Sequence, residues 1–324
     1  MGLPMNKEAY AAAASGAVYL DRSTTGCIEV TGRDRLALVN RLSTNALLPL
    51  QPGQGQITVL TTNIGRIIDL VTVLAIDENT IWVITSANRG GEIAQYLRGN
   101  KFFNDEFTVR EQTEMVSQMR LYGPRSTALL ATLTGLALDD LATWHHVTGQ
   151  IDGCPVRLVR IRPIRAGGWA IFSDVAAADA VIEAVDKAGA VLLDRATFNL
   201  LRVEAGYPNV AELNREYIPL EANLWDAVSF SKGCYVGQEI IARMESRGKL
   251  AKKLMGLKLS GEVQVPAELL SAGKNAGDLT SVVYSPALDQ HIGLGYVRTA
   301  HEPGTILQVG DHTATVVEVP FIQI

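Results

Sequence analysis

The chain has little cysteine: three residues in 324, at positions 27, 154 and 234. An odd and dispersed set with no C-x-x-C pair excludes a disulfide framework. It also excludes a four-thiolate cluster held by one chain, and it fits a reducing compartment. Histidine is scarce as well, at five, and the adjacent His145-His146 has no third ligand at metal-site spacing, so the two read as a loop pair. There is no excess of basic residues, and a net charge of −5 removes any global attraction for nucleic acid. No apolar run reaches the roughly 20 residues that span a bilayer. The N-terminus carries Lys7 and Glu8 ahead of a short alanine run, not a secretory signal. The simplest expectation is a bacterial cytoplasm, ahead of a mitochondrial matrix, with no membrane partner.

What is there is enough to fold. Hydrophobic residues make up 47% and charged residues 19%, and the length exceeds what one core usually spans. Three strands, over residues 56–62, 66–76 and 80–85, are separated by turns too short for parallel crossovers and predict an antiparallel meander. Helices are predicted over 7–14, 35–42, 90–98, 125–133, 176–188 and 196–205, with further strands at 107–111, 119–122, 155–164 and 169–172. From Leu250 onward, short β-rich runs alternate with Gly and Pro, which predicts a small antiparallel barrel. The expected division is therefore 1–249 and 250–324, in an α+β fold.

The densest chemistry lies in Lys232-Gly233-Cys234-Tyr235-Val236-Gly237-Gln238-Glu239. A helix starting just after Gly233 would put Cys234 at its N-terminus. There the free N–H groups and the dipole favour a thiolate, and Lys232 acts in the same direction. Cys27 and Cys154 have no such neighbours and read as structural. Asp69 interrupts an apolar strand, and its position alone favours an outward-facing place.

The eight-residue stretch is similar to the K-G-C-Y-x-G-Q-E hallmark of the YgfZ-type folate-binding proteins, which are relatives of the glycine-cleavage aminomethyltransferase. Leu201 to Gly206 resembles that superfamily's R-x-E-x-G segment, and Pro219 to Ala222 resembles its P-x-E stretch. Asn63 to Val73 resembles a strand-turn-strand bearing a folate-facing acid. Ile292 to Val297 resembles part of the superfamily's C-terminal barrel. The resemblance covers nearly the whole chain. It implies a trilobal fold around a central channel for tetrahydrofolate or a one-carbon derivative. It also implies a role in assembly or repair of iron–sulfur clusters, with client proteins or assembly machinery as partners.

Under that resemblance, Cys234, Lys232 and Asp69 carry the chemistry. Glu204 would match the paired N–H donors of the pterin, with Asp69 near the reactive nitrogens. Tyr235 would line the site, and Arg243 and Arg247 would form a rim for the anionic tail. Arg162 lies in a stretch similar to the superfamily's arginine before a Gly turn. Leu70 stands where the transferases carry a second acid. Two alternatives stay open: a folate-dependent aminomethyltransferase or other one-carbon transferase, and a module that keeps the fold without folate.

Overall fold

The computed structural model describes residues 5–248 and 250–323. The chain starts with α1 (Lys7–Ser15) and β1 (Val18–Asp21), then leaves for a second sheet. That sheet takes β2 (Thr25–Thr31), α2 (Arg35–Leu42), β3 (Gly55–Thr61), β4 (Ile67–Ala75), β5 (Thr80–Ala87), α3 (Gly90–Gly99) and β6 (Thr108–Glu111). The chain returns through β7 (Val116–Tyr122), α4 (Ser126–Thr134), β8 (His146–Ile151), β9 (Cys154–Ile164), β10 (Gly167–Asp174), α5 (Ala178–Lys187) and β11 (Val191–Leu192). Next come α6 (Arg195–Glu204), a long irregular stretch, and α7 (Gln238–Arg247). The last third is β12 (Lys252–Leu259), β13 (Ala267–Ser271), β14 (Lys274–Ser285), β15 (Gln290–Arg298), β16 (Ile306–Val309) and β17 (His312–Val317).

The strands build a six-stranded sheet in the order β11-β1-β7-β10-β9-β8, a five-stranded sheet in the order β3-β4-β5-β2-β6, and a closed barrel in the order β12-β15-β14-β13-β16-β17. The fold is α+β with antiparallel sheets, and β1–β11 is a parallel pairing at one edge. The first lobe is discontinuous, because β2 to β6 are inserted between its strands. The two sheets meet through one apolar layer. Leu20, Tyr122 and Phe172 of the first sheet pack against Cys27, Leu74 and Ile84 of the second. A second layer joins β3 and β4 to the barrel through Ile57, Ile67, Leu254 and Leu294, with Tyr217 stacked on Tyr296 at 3.4 Å.

Two predicted elements differ. The final helix of the first region starts at Gln238, not after Gly233, because Gly237 at φ +82 is itself left-handed and cannot continue a right-handed helix. His146 is not in a loop. It opens β8, an edge strand with exposed and half-buried residues at its centre, which hid it from a hydrophobicity pattern.

Candidate functional site

A cavity of about 220 Å³ lies where α6, β7 and β9 converge. It is lined by the side chains of Arg22, Arg120, Arg162 and Arg202, by Tyr122, Trp144, Phe198 and Tyr207, and by Thr72 and Asn209 among others. A second cavity, of about 350 Å³, shares Arg162, Tyr207 and Pro208 with the first and opens past Trp225, which is 45% exposed. Period-two alternation explains the placement of Arg120. On β7, Gln118, Arg120 and Tyr122 alternate with Met119 and Leu121, which enter the core on the other face of the sheet. That alternation was visible in the sequence as a cation inside a strand, and sequence reasoning passed over it. Arg22, Phe198, Trp144 and Asp226 were missed as well, because loops and separate elements supply them.

The guanidiniums in the cavity differ in their partners. Arg202 donates to Glu212 at 2.9 Å and to Ser281 at 2.7 Å. Arg162 is ion-paired with Asp226 and sits 6.0 Å from both the Trp144 and Tyr207 rings. Arg22 lies 5.6 Å over Phe198 and Arg120 lies 5.8 Å over Phe172. Burial, and to a lesser degree the nearby Arg22, push the Arg120 guanidinium down to about 10. Its Nη1 is buried without a hydrogen-bond partner. No carboxylate is among the residues lining the 220 Å³ cavity.

The acids proposed from sequence lie elsewhere. Asp69 is 1% exposed, so the outward-facing expectation is wrong. It accepts hydrogen bonds from Ser86 N–H at 3.0 Å and Ser86 Oγ at 2.5 Å, with Arg89 at 3.9 Å. Burial raises its pKa, and the Ser86 bonds and Arg89 act against that rise. Asp69, Val71 and Val73 alternate onto the face that packs against α2 and α3, while Thr72 lines the cavity. By the same alternation Leu70 falls on the Thr72 face, where it packs against the cluster of Ile57, Val59 and Tyr217, and the acid falls on the other.

Glu204 is 1% exposed and fully engaged. Its Oε1 accepts from Tyr10 at 2.7 Å and Ser285 at 2.6 Å, and its Oε2 accepts from Arg165 at 2.6 Å. The space beside it is about 10 Å³, room for a water molecule at most. In this arrangement both Glu204 oxygens face protein donors, and Glu204 lines neither of the two larger cavities.

The motif is a clasp. Lys232 Nζ donates to the carbonyls of Asn40, Ser43 and Asn45 at 2.7, 2.8 and 2.6 Å, closing the C-terminal end of α2. Burial pushes the ammonium down to about 8, while the carbonyl oxygens and the helix end favour the charged form. Three N–H donors on three carbonyls leave none for a hydrogen bond to Cys234, and because α7 starts at Gln238 the thiol does not stand at the helix N-terminus. Tyr235 is buried with Ile218, Leu220, Val228 and Ile241, away from the cavities. Val236 N–H donates to Arg41 O at 3.0 Å, and its carbonyl accepts from Thr61 Oγ1 at 2.6 Å. Gly237 leaves no room for a side chain: a Cβ there would sit 2.6 Å from Thr62 O. Cys234 is exposed, in the loop before α7. Arg243 is exposed on α7 and lines neither cavity, while the side chain of Arg247 and all of Lys249 lie outside the described residues.

Residues 4–232 match the GCVT N-terminal domain, and residues 252–323 match the glycine cleavage T-protein C-terminal barrel domain. The chain belongs to the glycine cleavage T-protein family. It is 30% identical to a putative chloroplastic transferase of Arabidopsis thaliana, over 97% of this chain and 73% of that protein. An aminomethyltransferase of Streptomyces avermitilis is 29% identical, over 92% of this chain and 83% of its own length. The crystal structure of aminomethyltransferase T of the glycine cleavage system from Bartonella henselae superposes with a TM-score of 0.86 at 22% identity, covering 97% of this chain and 89% of that one. That likeness establishes the T-protein fold. Cys234 and the rest of the motif after Lys232 fall between the two T-protein domain matches.

Proposed function

We propose that the chain is a tetrahydrofolate-binding protein that serves assembly or repair of iron–sulfur clusters in client proteins, with Cys234 as its working thiol. The observation that carries this reading is the construction of the motif. Lys232, Tyr235, Val236 and Gly237 are each tied into neighbouring elements, and Cys234 between them is left in solvent. A loop anchored on both sides of an exposed thiol presents that thiol to something outside the molecule. Its place is the bacterial cytoplasm, and its partners are folate and a cluster-bearing client.

The cavity suits folate in its donor set. Half-buried guanidiniums, with Arg120 Nη1 buried and unpartnered, match the carboxylates of the glutamyl tail, and Trp144, Phe198 and Tyr207 offer apolar and stacking surface to flat rings. Bound tetrahydrofolate would supply a carrier for one-carbon units. Arg162, held by Asp226 and flanked by two rings, would orient it. Asp69 and Glu204 act as structural acids.

A folate-dependent aminomethyltransferase is the second reading, favoured by the 29% identity to an enzyme of that name. Leu70 in place of a second acid and the lack of a carboxylate among the residues lining the 220 Å³ cavity weigh against it, because proton transfer at a folate nitrogen needs a positioned acid or base.

The test is rescue of a strain deficient in cluster-dependent enzymes. Cys234→Ala is expected to fold, to keep its folate-induced thermal shift, and to fail to restore those enzymes. Full rescue by Cys234→Ala sinks the thiol assignment. Steady turnover with an aminomethyl-lipoyl donor and tetrahydrofolate puts the transferase reading first.

A further inference from the structure

A cavity of about 520 Å³, larger than either of the two above, opens between the two sheets at the other end of the same strands. The 220 Å³ cavity takes Arg120 and Tyr122 from the end of β7 and Arg162 from near the end of β9. This one takes Val116 from the start of β7, Arg157 from near the start of β9 and Phe172 from near the end of β10, with Trp82 of β5 and Arg110 of β6 from the second sheet. It shares no lining residue with the other two. Strand register sets its wall. Phe172 stands opposite Arg157, and Arg157 opposite Thr148, so three neighbouring strands put a ring, a guanidinium and a hydroxyl in one row. Arg157 alternates onto the same face of β9 as Val159 and Ile161, which belong to the apolar layer between the sheets.

Arg157 reaches this cavity without an acid. Among the described residues neither Arg157 nor Arg110 forms an ion pair. Arg157 Nη1 is bonded to His146 Nδ1 at 2.8 Å, its Nε is buried without a partner, and its Nη2 has no protein partner among the described residues. Burial lowers the pKa of the guanidinium, and Asp77, beyond ion-pair distance, acts against that fall. The two acids of the lining are turned to the backbone: Asp174 Oδ1 accepts from Ala176 N–H at 2.8 Å, and Glu111 Oε1 accepts from Thr113 N–H at 2.9 Å. The guanidinium lies 5.4 Å over Trp82, and Trp82 meets Phe172 edge-on with centroids 5.9 Å apart. Rings disperse a cation's charge but do not replace an acceptor, and a donor enclosed without one is costly.

We propose that this cavity is a second small-molecule site, which takes a flat aromatic carboxylate with its ring against Trp82 and Phe172 and its carboxylate on Arg157. The volume lies within the roughly 300–1,000 Å³ of small-molecule pockets. The carboxylate supplies the acceptor that the protein does not, and the two rings give a flat body apolar contact. The site stands apart from the folate reading and does not depend on it.

Calorimetric titration of the full chain with naphthoate, naphthylmethanol and tetrahydrofolate tests this. Naphthoate is expected to bind about tenfold or more tightly than the neutral alcohol, because a charge-assisted bond to arginine distinguishes them. Arg157→Gln is expected to erase that preference. Arg157 also holds His146, so Thr148→Trp gives an independent reading if Arg157→Gln does not fold by circular dichroism. Thr148 is exposed on the edge strand β8, and an indole there fills the cavity while leaving the arginine in place. Folded Thr148→Trp is expected to lose naphthoate binding. Saturating tetrahydrofolate is expected to leave naphthoate affinity unchanged. The proposal is overturned by a wild type that does not bind naphthoate, by equal affinity for acid and alcohol, or by unchanged naphthoate affinity in a folded Thr148→Trp or Arg157→Gln. Competition by tetrahydrofolate overturns it too, since naphthoate would then occupy the folate cavity. If wild type binds naphthoate as expected but no tetrahydrofolate, the folate reading fails and this site stands.

Discussion

An arginine can only donate hydrogen bonds, so a histidine nitrogen that faces one must accept. Arg157 Nη1 lies 2.8 Å from His146 Nδ1, and His146 Nε2 lies 3.0 Å from Ala75 O, which fixes a neutral ring protonated on Nε2. Burial first, and then the neighbouring Arg157, hold the His146 pKa down to about 4. In the unfolded chain the ring takes a proton near pH 6.5. The contribution of His146 to stability is therefore complete above pH 6.5 and is lost as pH falls toward 4, to a total of about 3 kcal/mol. Urea midpoints at pH 7.5 and pH 4.5 measure the loss. His146→Gln, whose amide can donate to Ala75 O, is expected to show a smaller drop than wild type over that interval. The comparison has to be with wild type, because Asp69 and Glu221, with pKa values raised by burial, become more favourable to the folded state in the same window. An equal drop in the two proteins would show that the ring is not the titrating group.

At the scale of elements, the motif loop acts through backbone geometry. Gly237 has φ +82, and a Cβ there would lie 2.6 Å from Thr62 O and 2.8 Å from the Gly65 Cα. Gly233 has nothing within 4 Å of its would-be Cβ. Gly237→Ala should therefore cost about 2–4 kcal/mol from left-handed strain and overlap, and Gly233→Ala less than about 0.5 kcal/mol, measured by chemical denaturation. Equal costs would mean that the loop is not clasped as described. This contrast also shows what the sequence could reveal. Period-two strands, the meander and the C-terminal barrel were readable because burial on one face leaves a pattern, and β3, β4 and β5 fall where alternation predicts them. The motif was readable as chemistry, but not as geometry. Nothing in the order Lys-Gly-Cys states that the lysine turns back to cap α2, 187 to 192 residues earlier in the chain. The candidate cavity was hardly readable, since its residues come from a turn at Arg22, from β7, β9 and α6, and from irregular chain near Trp144 and Asn209. Asp69 stood out because an acid interrupts an apolar strand there, whereas Glu204 stood out only through the resemblance of its segment, and the structure buries both.

At the scale of the whole molecule, α6 joins the barrel to the sheets through two networks of buried charge. In the first, Arg202 meets Glu212, whose other oxygen accepts from Thr280 at 2.8 Å and Ser281 at 2.6 Å on β14. In the second, Glu204 collects Tyr10 from α1, Arg165 from the β9–β10 turn and Ser285 from the end of β14. One carboxylate thus fastens three parts of the fold, and the Glu204 carbonyl also accepts from Phe321 N–H at 2.9 Å in the tail after β17. Removing that carboxylate takes the acceptor from Tyr10 and Ser285 and leaves the largely buried Arg165 guanidinium with only the Tyr10 hydroxyl, at 3.1 Å. Breaking a buried pair in this way costs about 3–5 kcal/mol. Glu204→Ala is therefore expected to lower the melting temperature clearly and to speed proteolysis between the first region and the barrel. Below its melting temperature it should keep the folate-induced shift of wild type. A pterin-binding acid would give the reverse, an unchanged melting temperature with the shift abolished. That result would mean Glu204 leaves its network in solution to face the ligand.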